Sequence, residues 1–162
     1  AGQGLAEKYD WPIISGILFN HESEFRAENF LFSKIVNSAI KISQDKSQTV
    51  TVGSLDLTRD WSYAEDIVKG FYNITKTGES YSYVLGSGIG SSIEDILNIT
   101  FSYFNLDWND YVEIDPQLLR EGDPIKKVAD IRKIKHETGW SHKISVESML
   151  EKIIDSKLKN PN

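Results

Sequence analysis

The chain has 162 residues, 40% of them hydrophobic, which is enough for one modest core, and a net charge of −6 that speaks against broad nucleic-acid binding and against an anionic membrane surface. It contains no cysteine, so disulfides, thiolate nucleophiles and zinc–thiolate centres are excluded. No apolar run approaches the roughly 18 residues of a membrane span, and the first residues, AGQGLAEKYDW, lack the basic and apolar regions of a signal peptide, so a cytoplasmic protein is expected.

In chain order, a short polar piece leads into Ile13–Phe19, a continuous β-branched run that predicts a buried strand. Asn20–Ala27 mixes polar groups and both charge signs and reads as a loop. Phe30, Leu31, Ile35, Ala39, Ile40 and Ile42 recur at helical spacing and predict a helix over Glu28–Ser43. Thr49–Val52 reads as a short strand and Leu55–Asp60 as a loop. Tyr63, Ile67, Gly70, Phe71 and Ile74 form a second helical stripe, closed by Lys76 and Gly78.

Tyr81–Leu85 predicts a strand that runs into the glycines Gly86, Gly88 and Gly90. Ser91 or Ser92 then caps a helix with Glu94 and Asp95 in its first turn. Val112–Ile114 reads as a strand and Pro116–Lys127 as a charged loop. Ile131–Thr138 reads as a helix stopped by Gly139, and a last helix starts at Ser145. Lys159–Asn162 reads as a frayed tail. Alternating helices and strands define an α/β class.

Two patterns invite a functional reading and are better explained otherwise. Leu85-Gly-Ser-Gly-Ile-Gly-Ser follows a strand and opens a helix, but its glycines are spaced G-x-G-x-G and not G-x-G-x-x-G. A tight turn is therefore expected in place of a pyrophosphate cradle. Tyr72 and Lys76 match Y-x-x-x-K on an amphipathic helix, a two-residue coincidence. Asn73-Ile-Thr75 and Asn98-Ile-Thr100 match the glycosylation pattern, also as chance. The histidines His21, His136 and His142 are dispersed, so no metal centre is expected. Arg59, in Thr-Arg-Asp-Trp beside an acid and a large aromatic, is the basic residue whose fork could be held for a phosphate.

Gly16-Ile-Leu-Phe-Asn-His-Glu-Ser23 resembles the G-I-L-F-N-H-E-S segment of the GDP-mannose 4,6-dehydratases. Glu28-Asn-Phe30 with Lys34-Ile35 resembles the family's E-N-F-x-x-x-K-I, and Gly53-x-Leu-Asp56 with Arg59-Asp-Trp61 its G-N-L-D-x-x-R-D-W. Asp110-Tyr-Val112, Asp115-Pro116 and Gly139-Trp140 fall in register as well, so the resemblance runs from about Tyr9 to Leu158.

The resemblance implies the C-terminal, substrate-binding part of an extended short-chain dehydrogenase of Rossmann type. That part holds the last strands of the parallel sheet and a small α/β lobe, and residues 1–158 would form it as one unit. It implies that Asn20, Lys34, Arg59 and Arg120 contact the diphosphate of GDP-mannose. Asp123, standing where the family has a glutamate, would read the ribose. His21 and Arg26 would reach NADP. Glu24 and Phe25 replace the family's proline and first arginine after N-H-E-S, in a loop that serves cofactor binding across subunits.

The family's cofactor turn, its catalytic Thr and Glu and its Tyr-x-x-x-Lys pair have no counterpart here. The resemblance therefore implies no catalytic residue and no NADP binding by this chain alone. It implies the family's reaction, GDP-D-mannose to GDP-4-dehydro-6-deoxy-D-mannose, only for the parent enzyme. A non-catalytic nucleotide-sugar module from a truncated gene, or part of a related epimerase or dehydratase, is the alternative. Ile13–Phe19 and Tyr81–Leu85 would leave sheet edges unpaired, so a homo-oligomer is expected.

Overall fold

In the computed structural model, residues 2–11, 13–77 and 82–160 are described, and they form alternating helices and strands. The class is α/β, as expected. Strand β1 (Ser15–Leu18) pairs in parallel with β5 (Ser82–Leu85), with Gly16 opposite Tyr83 and Leu18 opposite Leu85. Helix α3 (Ala64–Ile74) packs tightly on this pair: a Cβ on Gly16 would lie 2.5 Å from Cζ of Phe71. Ile67, Ile74, Tyr83 and Leu85 meet Ile134 of α5 (Arg132–Thr138) and Trp140 in one apolar cluster. Gly139 ends α5 with φ at 69°, a conformation that glycine adopts without strain.

A larger cluster lies between α2 (Leu31–Gln44), α4 (Ile93–Ser102) and α6 (Val146–Lys159). Ile35 and Ile42, Ile96 and Phe101, and Leu150 and Ile154 are its fully buried members from the three helices. Strand β3 (Val50–Val52), parallel to β7 (Val112–Ile114), contributes Val50 and Val52. Ser92 caps α4: its hydroxyl accepts from the Asp95 amide at 3.0 Å, and the Asp95 carboxylate accepts from the Ser92 amide at 2.8 Å. Ser145 caps α6 by accepting from the Ser148 amide at 3.2 Å.

Several boundaries differ from expectation. The polar N-terminal piece is a helix, α1 (Gly2–Tyr9), which buries Ala6. Helix α2 starts at Leu31 and not at Glu28. Phe30 is extended at its N-cap, and Ser33 Oγ donates to the Arg26 carbonyl at 3.0 Å, which ties down the segment before it. Helix α6 continues through Lys159. Gly78, Tyr81 and residues 161–162 lie outside the described residues.

Two strands stand where loops were expected. Residues 20–22 form β2 (Asn20–Glu22), and β4 (Thr58–Tyr63) takes in the end of the expected Leu55–Asp60 loop and also Tyr63, expected on the following helix, which starts at Ala64. Strand β4 is central: β2 is parallel to it, β6 (Gly90–Ser92) antiparallel, and β8 (Lys126–Lys127) parallel along the same edge as β2. No apolar alternation marks β4, because Arg59, Asp60 and Ser62 are all buried. Its two faces bury polar groups that satisfy one another, and hydrophobic periodicity cannot detect that.

Candidate functional site

Side chains alternate across a strand, and paired residues share a face. Asn20 is opposite Trp61 and Glu22 opposite Tyr63, so Asn20, Glu22, Arg59 and Trp61 share one face of the β2–β4 ribbon. That face walls a cavity of about 510 Å³, closed by the start of α2, the end of β3 and the 118–127 segment. Of the residues singled out from the sequence, Asn20, Arg26, Lys34, Arg59, Arg120 and Asp123 all line it. They come from segments up to a hundred residues apart, and the fold brings them together. His21 is the exception. It pairs with Ser62 on the opposite face, and its Nδ1 lies 3.0 Å from the Phe19 carbonyl.

The lining is cationic. Arg26, Lys34, Arg59, Arg120 and Lys127 stand against Glu22 and Asp123, although the whole chain carries −6. Two other depressions, of about 470 and 520 Å³ along α4, are lined by no lysine or arginine. Positive groups concentrated in one concave site raise the local potential and favour anions. Phe32, Leu57, Trp61, Ile93 and Leu118 supply an apolar wall, with the Phe32 and Trp61 rings 5.4 Å apart.

Arg59 is held on several sides. Its Nη1 donates to the carbonyls of Thr58 at 2.8 Å, Pro124 at 3.0 Å and Ile125 at 3.2 Å. Its Nη2 donates to Asp123 Oδ2 at 2.7 Å. The acid that fixes the fork is thus Asp123, and not the adjacent Asp60. Lys127 Nζ donates to Asp123 Oδ1 at 2.8 Å. That bond and the Arg59 guanidinium hold the Asp123 carboxyl below its ordinary range, against partial desolvation. Lys34 Nζ donates to the Thr51 carbonyl at 2.7 Å, which leaves the ammonium two further donors. Among the described residues, Arg120 has no side-chain partner and its donors are free.

Sequence reasoning passed over Glu22, Lys127 and Asp60. Glu22 is 2% exposed and lines the cavity beside Arg26. Its Oε2 lies 3.2 Å from Arg26 Nε, yet the two atoms lack hydrogen-bond geometry and neither has another partner. Burial pushes the Glu22 carboxyl up to about 7, against the pull of Arg26. Arg26 also stacks on Phe30, 3.6 Å from the ring centroid. A period of two from Asn20 would have found Glu22 had residues 20–22 been read as a strand.

Asp60 works on the opposite face. Its carboxylate accepts from the amides of Ser87 at 2.7 Å, Gly88 at 2.8 Å and Ala129 at 3.1 Å, and from the hydroxyls of Ser87 at 2.7 Å and Ser62 at 3.2 Å. The glycine turn therefore does cradle an anion, but the anion is the chain's own carboxylate. Gly88 sits at φ +75°, which the turn requires. Lys76 lies over the face of the Tyr72 ring at 4.2 Å, on the exposed side of α3 and away from the cavity. Asn73 and Asn98 lie within helices, and Thr100 is fully buried. Among the described residues no acidic or histidine cluster is placed to hold a metal, and no helix is long and apolar enough to cross a membrane.

Residues 3–153 match the family described as GDP-mannose 4,6 dehydratase. GDP-mannose 4,6 dehydratase 2 of Arabidopsis thaliana is 32% identical over 153 residues, covering 94% of this chain and 41% of that protein. The GDP-mannose 4,6-dehydratase of Sinorhizobium fredii is 29% identical over 160 residues, covering 88% and 46%. The chain thus spans less than half the length of these relatives. Among solved structures, RMD from Pseudomonas aeruginosa complexed with NADPH superposes with a TM-score of 0.84 at 17% identity, covering 95% of this chain and 50% of that one. The dTDP-glucose 4,6-dehydratase of Bacillus anthracis, in complex with NAD, gives 0.83 at 17%, covering 98% and 49%. These likenesses establish the fold, that of Rossmann-type dehydratases and epimerases.

Proposed function

Because the chain belongs to the GDP-mannose 4,6 dehydratase family, we propose that its cavity receives the nucleotide sugar, GDP-mannose, for that family's reaction. The observation that carries this reading is the cationic cavity in an acidic chain, with Arg59 fixed in place by Asp123. Arg59, Lys34 and Arg120 neutralise the diphosphate, and the Asn20 amide donates to it. Guanidinium forks and an ammonium suit phosphate oxygens, and a pre-fixed fork loses little entropy on binding. Asp123 accepts from the ribose hydroxyls with the lone pairs that Arg59 and Lys127 leave. The apolar wall near Leu118 takes the base.

NADP, when bound, supplies the hydride acceptor and donor. The glycine turn of this chain does not fit its pyrophosphate, because Asp60 occupies the turn's amides. Only Arg26, at the cavity rim, and His21, on the far face, are assigned to the cofactor. The chemistry is assigned to residues outside the 162 of this chain, which acts as the substrate-binding portion. Incubated with NADP and GDP-mannose, it yields no 4-keto product; turnover at an enzyme-like rate contradicts the assignment. The protein works in the cytoplasm as a homo-oligomer. Ile17 and Leu18, on the β1 strand, are 53% and 42% exposed and favour pairing with another copy.

A further inference from the structure

Lys127 is the cation of the cavity lining that neither the diphosphate nor the cofactor assignment uses. It pairs in register with Arg59 across β4 and β8, so the two residues share the face that walls the cavity. Lys126, one residue earlier, belongs to the opposite face: its Cε lies 4.0 Å from the place that a Cβ on Gly90 would take, and Gly90 pairs with Asp60. The Arg59 side chain is 10% exposed, and most of its donors are spent inside the fold, on the carbonyls of Thr58, Pro124 and Ile125 and on Asp123. The Lys127 side chain is 49% exposed, and its bond to Asp123 Oδ1 at 2.8 Å leaves the ammonium two further donors. Arg59 and Asp123 alone cancel in charge; with Lys127 the trio carries one net positive charge in a concave site.

We propose that Lys127 is a further ligand-binding residue, whose ammonium donates to the phosphate next to the ribose while it keeps its bond to Asp123. The proposal rests on the reading of the cavity as a nucleotide-sugar site with Asp123 on the ribose. A ribose and the phosphate it carries are neighbours, so a carboxylate and an ammonium joined at 2.8 Å can hold one each. The ammonium also offsets the repulsion that an ionised Asp123 exerts on the phosphates. The Lys127 bond leads the influences that hold the Asp123 carboxyl below its ordinary range, so the carboxylate stays charged and ready to accept from a hydroxyl. Arg59, boxed in by backbone carbonyls, fixes where the carboxylate sits. Lys127, half-exposed on a flexible four-carbon stem, follows the ligand.

The test is calorimetric titration of the native chain, Lys127→Gln and Lys126→Gln with GDP and with 2′,3′-dideoxy-GDP, which offers Asp123 no ribose hydroxyl. Both variants remove one positive charge from the same short strand, and both lysines are exposed, so neither substitution should disturb the fold. Lys127→Gln should weaken GDP binding about tenfold, and Lys126→Gln by less than about twofold. The loss in Lys127→Gln should be as large with the dideoxy ligand, because the contact is to phosphate. A loss that vanishes with the dideoxy ligand overturns the proposal and leaves Lys127 acting only through Asp123. Equal losses in the two variants overturn it as well, since net charge alone then explains them. If the native chain does not hold the dideoxy ligand, the cations do not grip the phosphates by themselves and the proposal falls. If Lys127→Gln binds GDP like the native chain, Lys127 has no such role while the nucleotide reading stands. If the native chain does not bind GDP, the nucleotide-sugar reading itself fails.

Discussion

Arg59 and Asp123, sixty-four residues apart in sequence, are joined by a hydrogen-bonded ion pair of 2.7 Å, and Arg59 is 8% exposed. That pair fixes the 123–127 segment against β4. Arg59→Ala is expected to weaken GDP binding by more than about tenfold, and Arg59→Lys to restore little, since an ammonium cannot span Asp123 and the Pro124 and Ile125 carbonyls together. Calorimetry gives the affinity, and amide exchange over residues 123–127 should speed up in the same variants.

Asp60 should matter for stability and not for ligand contact. Asp60→Ala strips the amides of Ser87, Gly88 and Ala129 of their acceptor, and the Ser87 and Ala129 bonds are buried. A loss of about 3 kcal/mol is expected, read from urea unfolding. A loss under about 0.5 kcal/mol would mean that water replaces the carboxylate without cost.

Glu22 should make the fold sensitive to pH. Its folded carboxyl is raised from 4.5 to about 7 by burial. Below the unfolded value both states are protonated and the group contributes no penalty. Between about 4.5 and 7 the unfolded chain releases its proton first, so stability falls as pH rises, and above about 7 the penalty is complete. Its size is on the order of 3 kcal/mol. Glu22→Gln should therefore lose less stability than the native chain between pH 4.5 and pH 8 in paired denaturation curves. An identical loss in both would show that Glu22 does not titrate in this window.

Strand β1 and its partner β5 form a two-stranded parallel pair among the described residues, a structure with outer edges available for further pairing. The weight-average mass in sedimentation should rise with concentration, and Ile17→Lys should lower it. A strictly monomeric chain at high concentration would remove the homo-oligomer assignment.

The helices were legible because each carries an apolar stripe: Ile35, Ala39 and Ile42 in α2, and Ile96, Leu97 and Phe101 in α4, all fully buried. The strands of the site were not, since β2 and β4 bury Glu22, Arg59, Asp60 and Ser62 in place of alternating hydrophobics. The N-H-E-S and R-D-W segments marked where the site lies. They did not show that Arg59 and Asp60, adjacent in sequence, serve opposite faces of one strand. The Asp123 contact also lay beyond reach, because a loop residue declares its partner only once the chain is folded. The glycine spacing marks a tight turn, yet the carboxylate that fills it comes from β4, far away in sequence.

Whether the cavity receives the nucleotide sugar is decided by a calorimetric titration of the chain with GDP, with UDP as control. Selective binding of GDP that disappears in Arg59→Ala is the expected result. Absence of binding by either nucleotide, or equal binding of GDP by the native chain and Arg59→Ala, would contradict the claim that this cavity receives the nucleotide sugar.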